Sequence, residues 1–470
     1  MPTIRYELTD AERAIYRRYA KLALPRHTSY PIAPAWSEDY RSDEFRDDLA
    51  QVAGPLSLYV HLPFCEKLCY YCACTKEIIP AAKRREHDPA EDVLAGLELE
   101  VPRVAQALPT RGAQQVHLGG GSPTFFTSLQ LTRVIKLLRD NFAIGNDAEL
   151  AVEIDPRITT REQLATLRGL GFNRVSMGIQ DFSPRVQDAV NRKQPYECVE
   201  RAVAWCRELG FASLNFDLIY GLPFQTLESM KDTLDKTIHL SPDRIAFYRL
   251  AVIPEIFRWQ NVFKPTDLPG GDLPLDLNLL AIRRLNDAGY EFLGLDHFAK
   301  PTEGLAQAQR DRTMQRNFQG MTTGKTCELI GFGPSAISQL DRAFAQGWKS
   351  SADWRRALGT GLAIERGLRL SHDDRLRREL MQQLYGYGEI AKASLESRFD
   401  IVFDDYFADE LERLDLLVKE GIATIDDDTV RVTAPLGRLL VRVVAAAFDC
   451  YLPGDAYVNG LAANEASKVG

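Results

Sequence analysis

Short apolar runs bounded by turn formers recur along the first two thirds of the chain: Leu56 to Leu62, Gln115 to Leu118, Leu150 to Ile154, Arg174 to Met177, Leu214 to Ile219, Arg244 to Leu250 and Phe292 to Asp296. Their length and their branched and aromatic content predict strands. Between them, Ser128 to Asn141, Thr160 to Leu170 and Tyr196 to Leu209 carry apolar residues at three- and four-residue spacing, which predicts amphipathic helices. Strand alternating with helix is the signature of βα units around a parallel sheet. Polar residues and glycines gather just after the strands. The pattern predicts an α/β fold, a partial TIM-like (β/α) barrel, with its active site at the carboxyl ends of the strands.

The alternation stops after Gly331. Ser371 to Phe448 is helix-rich, and Val418 to Val432 resembles a short hairpin about Asp426-Asp427-Asp428. The first fifty residues, polar and rich in arginine and tyrosine, predict a helix and an extended arm. The expected organisation is an N-terminal helix and arm (1–50), a barrel domain (51–330), a mainly helical C-terminal domain (331–455) and a flexible tail (456–470). A helix-and-wing pattern can read DNA, but Asp404-Asp405, Asp409-Glu410 and Asp426 to Asp428 make this one acidic, so a lid or partner surface is favoured.

Composition narrows the class further. The chain has 470 residues and a net charge of −8, with 57 basic residues scattered among 65 acidic ones, so no nucleic-acid footprint appears. No run approaches the roughly 18 apolar residues of a membrane span, and the first residues have no apolar signal core. A folded cytoplasmic protein is expected, which suits reduced thiols.

Four of the eight cysteines fall within ten residues, at Cys65, Cys69, Cys72 and Cys74, directly after the first strand. Structural zinc sites pair two separated cysteine couples, and no second couple stands at a suitable spacing. Three thiolates spaced by three and two residues fit three corners of a four-iron cluster, leaving one iron open. Another metal, or plain reduced surface thiols, are the alternatives.

This loop, with Tyr71 before Cys72 and Gly119-Gly120-Gly121-Ser122-Pro123-Thr124 after the second strand, resembles the radical S-adenosylmethionine enzymes. A glycine triplet alone marks only a turn; here it would let backbone donors approach a ligand closely. Further motifs resemble the oxygen-independent coproporphyrinogen III oxidases over nearly the whole chain. They are Pro25 to Pro31, Glu153 to Arg157, Ser176 to Phe182, Asn191-Arg192, Asp217 to Pro223, Asp296 to Phe298, Arg316 to Gly320 and Ser335 to Ser338. The resemblance implies a [4Fe-4S] cluster on Cys65, Cys69 and Cys72, with Cys74 nearby but unbound. It also implies two S-adenosylmethionine molecules. Tyr59, Gly120, Glu153 and Ile337 match positions around the first; Tyr71, Gly121, Ser122, Gln180, Arg192, Asp217 and Ala251 match positions around the second. Taken singly, Glu153 could be a capped strand end and the rest ordinary polar residues at strand ends.

The implied chemistry is oxidative decarboxylation of two propionate side chains of coproporphyrinogen III to vinyl groups through a 5′-deoxyadenosyl radical. The implied partners are a tetrapyrrole substrate and an electron donor such as flavodoxin or ferredoxin, and the expected state is a monomer. Catalytic candidates are Tyr59, Arg249, His297 and Arg316, the last three with Arg26 as holders of propionates; surface salt bridges are the bland alternative.

The chain departs from the family pattern where substrate contact is expected. His27 stands where the family has tyrosine, and Arg249-Leu250-Ala251-Val252 stands for Asn-Tyr-Ala-His. Gln315 and Met321 replace histidine and tyrosine, and Val443 replaces asparagine. Neutral drift and an altered substrate both account for this. The alternatives are a paralogue with both S-adenosylmethionine sites acting as a methyltransferase or cyclopropanase, and a haem-trafficking protein.

Overall fold

The structure, a computed structural model, describes residues 6–22, 24–25, 27–85, 88–323 and 327–452. Arg26 and the expected tail, 456–470, lie outside the described residues. One large sheet organises the molecule, with twelve strands among the described residues. In chain order they are β1 (Leu56–Leu62), β2 (Gly112–Gly120), β3 (Ala143–Ile154), β4 (Arg174–Gln180), β5 (Ser213–Tyr220), β6 (Arg244–Arg249), β7 (Glu291–Gly294), β8 (His297–Ala299), β9 (Glu328–Phe332), β10 (Ile337–Gln339), β11 (Ala343–Gly347) and β12 (Ile364–Arg369). Their spatial order is β12-β11-β10-β9-β1-β2-β3-β4-β5-β6-β8-β7. From β9 to β6 all pairings are parallel, and both flanks are antiparallel, so the barrel is partial and open.

Three of the crossover helices start from the same local chemistry. Thr127, Thr160 and Thr226 cap helices Ser128–Asn141, Arg161–Gly169 and Leu227–Leu240, each in a reciprocal capping box with the residue three further on. That pairing satisfies two orphan backbone donors and fixes each helix start just beyond a strand's carboxyl end. The strand alternation does the rest. Leu56, Leu58, Val60 and Leu62 of β1 point outward into the helix layer and are at most 1% exposed, while the odd-numbered partners face the barrel interior.

Two expectations need correcting. The run Phe292 to Asp296 forms an edge strand, β7, antiparallel to its neighbour β8, instead of a further parallel strand. Gly331, where the alternation stops in the sequence, lies inside β9, which is parallel to β1; the sheet then runs on to Arg369. The helical region follows from His372, with helices His372–Tyr387, Lys392–Phe399 and Ala408–Lys419 and a hairpin of Ala423–Ile425 with Thr429–Val432 turning at Asp426 to Asp428. Its acids Asp404, Asp405, Asp409 and Asp426 to Asp428 are exposed. Among the described residues two large apolar cores result, one between sheet and crossover helices, the other inside the helical region, with a small third cluster about Val186, Ile219 and Phe263. Tyr19 and Tyr30 of the N-terminal segment are buried in the second.

Candidate active site

The cysteine loop leaves β1 and is closed at its base by a two-residue parallel pairing of Phe64–Cys65 with Glu77–Ile78. Its backbone polar groups are taken by several segments. Tyr70 N–H donates to the Val190 carbonyl (3.0 Å) and the Asn191 side-chain amide to the Leu68 carbonyl (2.7 Å). From the other side, the Trp259 indole donates to the Cys72 carbonyl (3.2 Å), and the Lys76 ammonium to the carbonyls of Cys72 and Cys74 (3.1 Å each). These bonds pin the loop from both sides and leave its thiols as reactive groups.

The cysteines differ in surroundings. Burial, then the charges of Cys72 and Cys69, pushes the Cys65 thiol up to about 12. A hydrogen bond from Cys74 draws Cys72 down to about 6. Cys69 faces two guanidiniums, its Sγ standing 3.6 Å from Arg192 and 3.9 Å from Arg157. Asp155 braces that pair, 2.5 Å from Arg157 and 3.6 Å from Arg192. Against the pull of burial, Arg192 and then Arg157 hold its carboxyl down at about 2. Among the described residues no three His, Cys, Asp or Glu side chains converge as ligands of a single ion. Corner ligands of a cluster share no such point, so three thiols on one pinned loop fit the cluster's donor set.

Above the loop, inward residues of β1 to β6 surround a chamber of about 510 Å³. Alternation places Tyr59 and His61 there from β1, His117 from β2, Glu153 from β3, Ser176 from β4, and Asn215 and Asp217 from β5. Leu305, Phe318, Met321, Leu329 and Ile337 supply the apolar part of the lining. Glu153 accepts from His117 Nε2 (3.0 Å) and from the Gly120 N–H (3.3 Å). Although burial opposes it, the His117 hydrogen bond keeps this carboxyl below its ordinary value. Asp217 accepts from Asn215 (3.0 Å) and Ser176 (3.2 Å), yet burial, then Glu153's charge, raises it to about 6. His297 lies on the opposite side; burial, then Arg316, Arg244 and Arg174, lowers it to about 3, so it is a neutral imidazole at pH 7.

The glycine triplet is explained by contacts. A Cβ on Gly119 would fall 2.7 Å from Glu153 Oε1, and one on Gly121 would fall 2.6 Å from the Phe64 carbonyl oxygen. Gly120 has φ +108° and the His61 ring 2.6 Å from its missing Cβ.

The structure brings Tyr59, Gly120, Glu153, Asp217, His297 and Ile337 together around the chamber. Tyr71, Arg192 and Gln180 lie elsewhere, beside Cys69: Arg192 is 7% exposed and donates to the Gly178 carbonyl (2.7 Å), near Gln180. Gly121, the last of the triplet, and Ser122 after it sit at the base of the cysteine loop, donating to the carbonyls of Leu62 and Phe64. The Ala251 carbonyl accepts from Gln260 (3.0 Å). Arg249 and Arg316 line a second, smaller cavity beyond Tyr248. Sequence reasoning missed His61 and His117; the signal available was their position on the inward face, two residues after Tyr59 and in the neighbouring strand.

The Radical SAM superfamily family model matches residues 59–237. Oxygen-independent coproporphyrinogen III oxidase of Escherichia coli is 42% identical over 445 residues, 94% of this chain and 96% of that protein. The Pseudomonas aeruginosa protein of the same name is 41% identical, over 96% of this chain and 97% of its own length. The solved structure of coproporphyrinogen III oxidase from Escherichia coli, described as a radical SAM enzyme, superposes with a TM-score of 0.87 at 42% identity, over 91% of this chain and 98% of that one. With the cysteine loop, the glycine triplet and the chamber above them, this full-length similarity means that the chain belongs to the oxygen-independent coproporphyrinogen III oxidase family of radical SAM enzymes.

Proposed function

We propose that the protein oxidatively decarboxylates propionate side chains of coproporphyrinogen III to vinyl groups, each turn releasing carbon dioxide, a proton and two electrons from the substrate. The observation that carries the reading is full-length similarity at 42% identity to a protein of that name, joined to a cysteine loop that lines a polar chamber through Ala73, Cys74 and Thr75. When bound to Cys65, Cys69 and Cys72, the reduced cluster with S-adenosylmethionine supplies a 5′-deoxyadenosyl radical, able to take a hydrogen atom from an unactivated carbon.

The chain's own work is holding and shielding. Glu153, kept ionised by His117, offers a carboxylate to the amino group of S-adenosylmethionine. Gly120 and Gly121, with no side chains, let the His61 ring and the Phe64 backbone pack close beside it. Asp217 offers an acceptor for a hydroxyl, and neutral His297 a hydrogen bond to a propionate. Tyr71, Gln180, Arg192 and Ala251 are assigned by resemblance to a second S-adenosylmethionine; of these Arg192, 3.6 Å from Cys69, would have to exchange Gly178 for that ligand. The apolar wall of Leu305, Phe318, Met321 and Leu329 keeps water from the reacting carbon. The reading carries with it a flavodoxin- or ferredoxin-type electron donor and work as a cytoplasmic monomer; among the described residues no helix is long and apolar enough to cross a membrane.

Anaerobic incubation of reconstituted protein with S-adenosylmethionine, a reductant and coproporphyrinogen III, read by mass spectrometry, tests it. The expected product lacks two carboxyl groups. Deoxyadenosine without decarboxylation would sink the reading, and S-adenosylhomocysteine beside it would point to methyl transfer.

A further inference from the structure

The second cavity, about 210 Å³, shares Tyr248 with the reaction chamber as a common wall. Three separate parts of the chain send arginines into it. Arg249 comes from the end of β6, Arg316 from the strand Gln315–Asn317, and Arg438 and Arg442 from helices Leu436–Leu439 and Val441–Ala447. The only carboxylate among its described lining residues is Asp296. Arg316 has its backbone pinned on both sides by Gln382 (2.7 and 2.6 Å), while its Nε and Nη1 are buried without a hydrogen-bond partner. Among the described residues Arg442 donates to carbonyl oxygens, those of Leu24 and Pro25 in the N-terminal arm, and to no carboxylate. Among the described residues neither Arg316, Arg438 nor Arg442 makes an ion pair, although the protein's surface is net acidic. Four guanidiniums around one small space repel one another, and a buried donor without a partner is costly. Planar forks of N–H groups are the best match for carboxylates.

We propose that this cavity is a carboxylate anchor, which holds acidic side arms of the substrate while the arm that reacts passes Tyr248 into the chamber. The identity of those arms as propionates rests on the coproporphyrinogen reading above; the existence of an anionic site does not. The volume agrees, being too small for a tetrapyrrole ring and large enough for one or two three-carbon acids. Tyr16, Tyr220 and Tyr248 give the space aromatic walls, and Ala20, Leu22, Leu24 and Thr28 line it from the arm. Two of the positions where this chain departs from its family, Arg249 and Val443, lie here, so departures fall on the anchor as well as on the chamber.

The test is titration of the reconstituted full-length protein with coproporphyrin III and, separately, with its tetramethyl ester, followed by absorbance. The free acid is expected to bind at least tenfold tighter than the ester and to weaken with salt. Arg316→Gln and Arg438→Gln should each weaken acid binding about tenfold, or about 1.4 kcal/mol, without changing ester binding. Asp296→Asn, which removes the opposing charge, should tighten the acid about threefold. Acid binding within twofold of wild type in both arginine variants would overturn the anchor, as would equal loss of acid and ester, which marks a structural role. The two readings fail separately. Decarboxylation with binding indifferent to the arginines ends the anchor alone; arginine-dependent binding without decarboxylation ends the proposed activity alone.

Discussion

At the scale of single residues, Gly121 is the glycine of the triplet whose added side chain would meet backbone. A methyl group there meets the Phe64 carbonyl oxygen and the Pro63 carbon at 2.6 and 2.7 Å, one residue before the first cysteine of the loop. Neither is a movable side chain, so Gly121→Ala must shift the backbone that sets Cys65. The expected outcome is iron incorporation on anaerobic reconstitution below half of wild type and cleavage of S-adenosylmethionine reduced at least 100-fold, with the helical content by circular dichroism unchanged. Full iron content in the variant would remove this account of the triplet. Glu153→Gln tests the neighbouring carboxylate. A charge-assisted hydrogen bond contributes about 1.5–3 kcal/mol, so the dissociation constant for S-adenosylmethionine should rise roughly 10- to 100-fold by calorimetry. The cysteines, Glu153 and Asp217 were legible in the sequence because motif and strand end mark them together. His61 and His117 were not, because neither stands in a motif; only the paired register of β1 and β2 turns them to the same side.

At the scale of elements, β1 was legible to the residue, since its outward leucines and valine alternate with inward polar residues. Direction was not legible: nothing in Phe292 to Asp296 tells an antiparallel edge from a parallel strand, as side-chain alternation is the same in both. β9 was missed because Glu328–Phe332 is short and glycine-broken, with Gly331 packed 2.6 Å (from its missing Cβ) against the Ile337 carbonyl. The helix Pro89–Ala107 is tied to the turn after β9 by Glu100, which accepts from the Gly333 N–H (2.7 Å) and the Trp354 indole (3.0 Å). Burial raises its carboxyl to about 7, with both hydrogen bonds opposing. The folded state therefore binds a proton that the unfolded chain, with its carboxyl near 4.5, does not bind across the window from about 4.5 to 7. Stability must fall as pH rises through that window, by up to about 3 kcal/mol from this group. Urea unfolding at pH 5, 6, 7 and 8 should show the decline in wild type and a flatter profile in Glu100→Gln. Parallel profiles for the two proteins would remove Glu100 as the source.

At the scale of the whole molecule, the N-terminal segment is bound into the helical region across the length of the chain. His27 is 3% exposed and bridges Tyr385 Oη (2.7 Å) and Asp449 (2.8 Å). It forms a clasp between arm and helices, something no local sequence pattern could disclose, since its partners lie 358 and 422 residues away. Arg442 reinforces the clasp at Leu24 and Pro25, and it is also an arginine of the second cavity, so closing the arm and completing that cavity are one event. His27→Ala strands a buried hydroxyl and removes one partner of a buried carboxylate, at a penalty of about 2 kcal/mol or more. That penalty falls on the local opening of the arm before it falls on the sheet, whose strands β1 to β6 belong to the other core. Amide exchange in residues 24–32 should quicken about 30-fold in the variant, while β1 to β6 exchange as in wild type. Uniform quickening in both cores would mean that the arm is part of one cooperative unit with the barrel, and the cavity it closes would then open only when the whole molecule does.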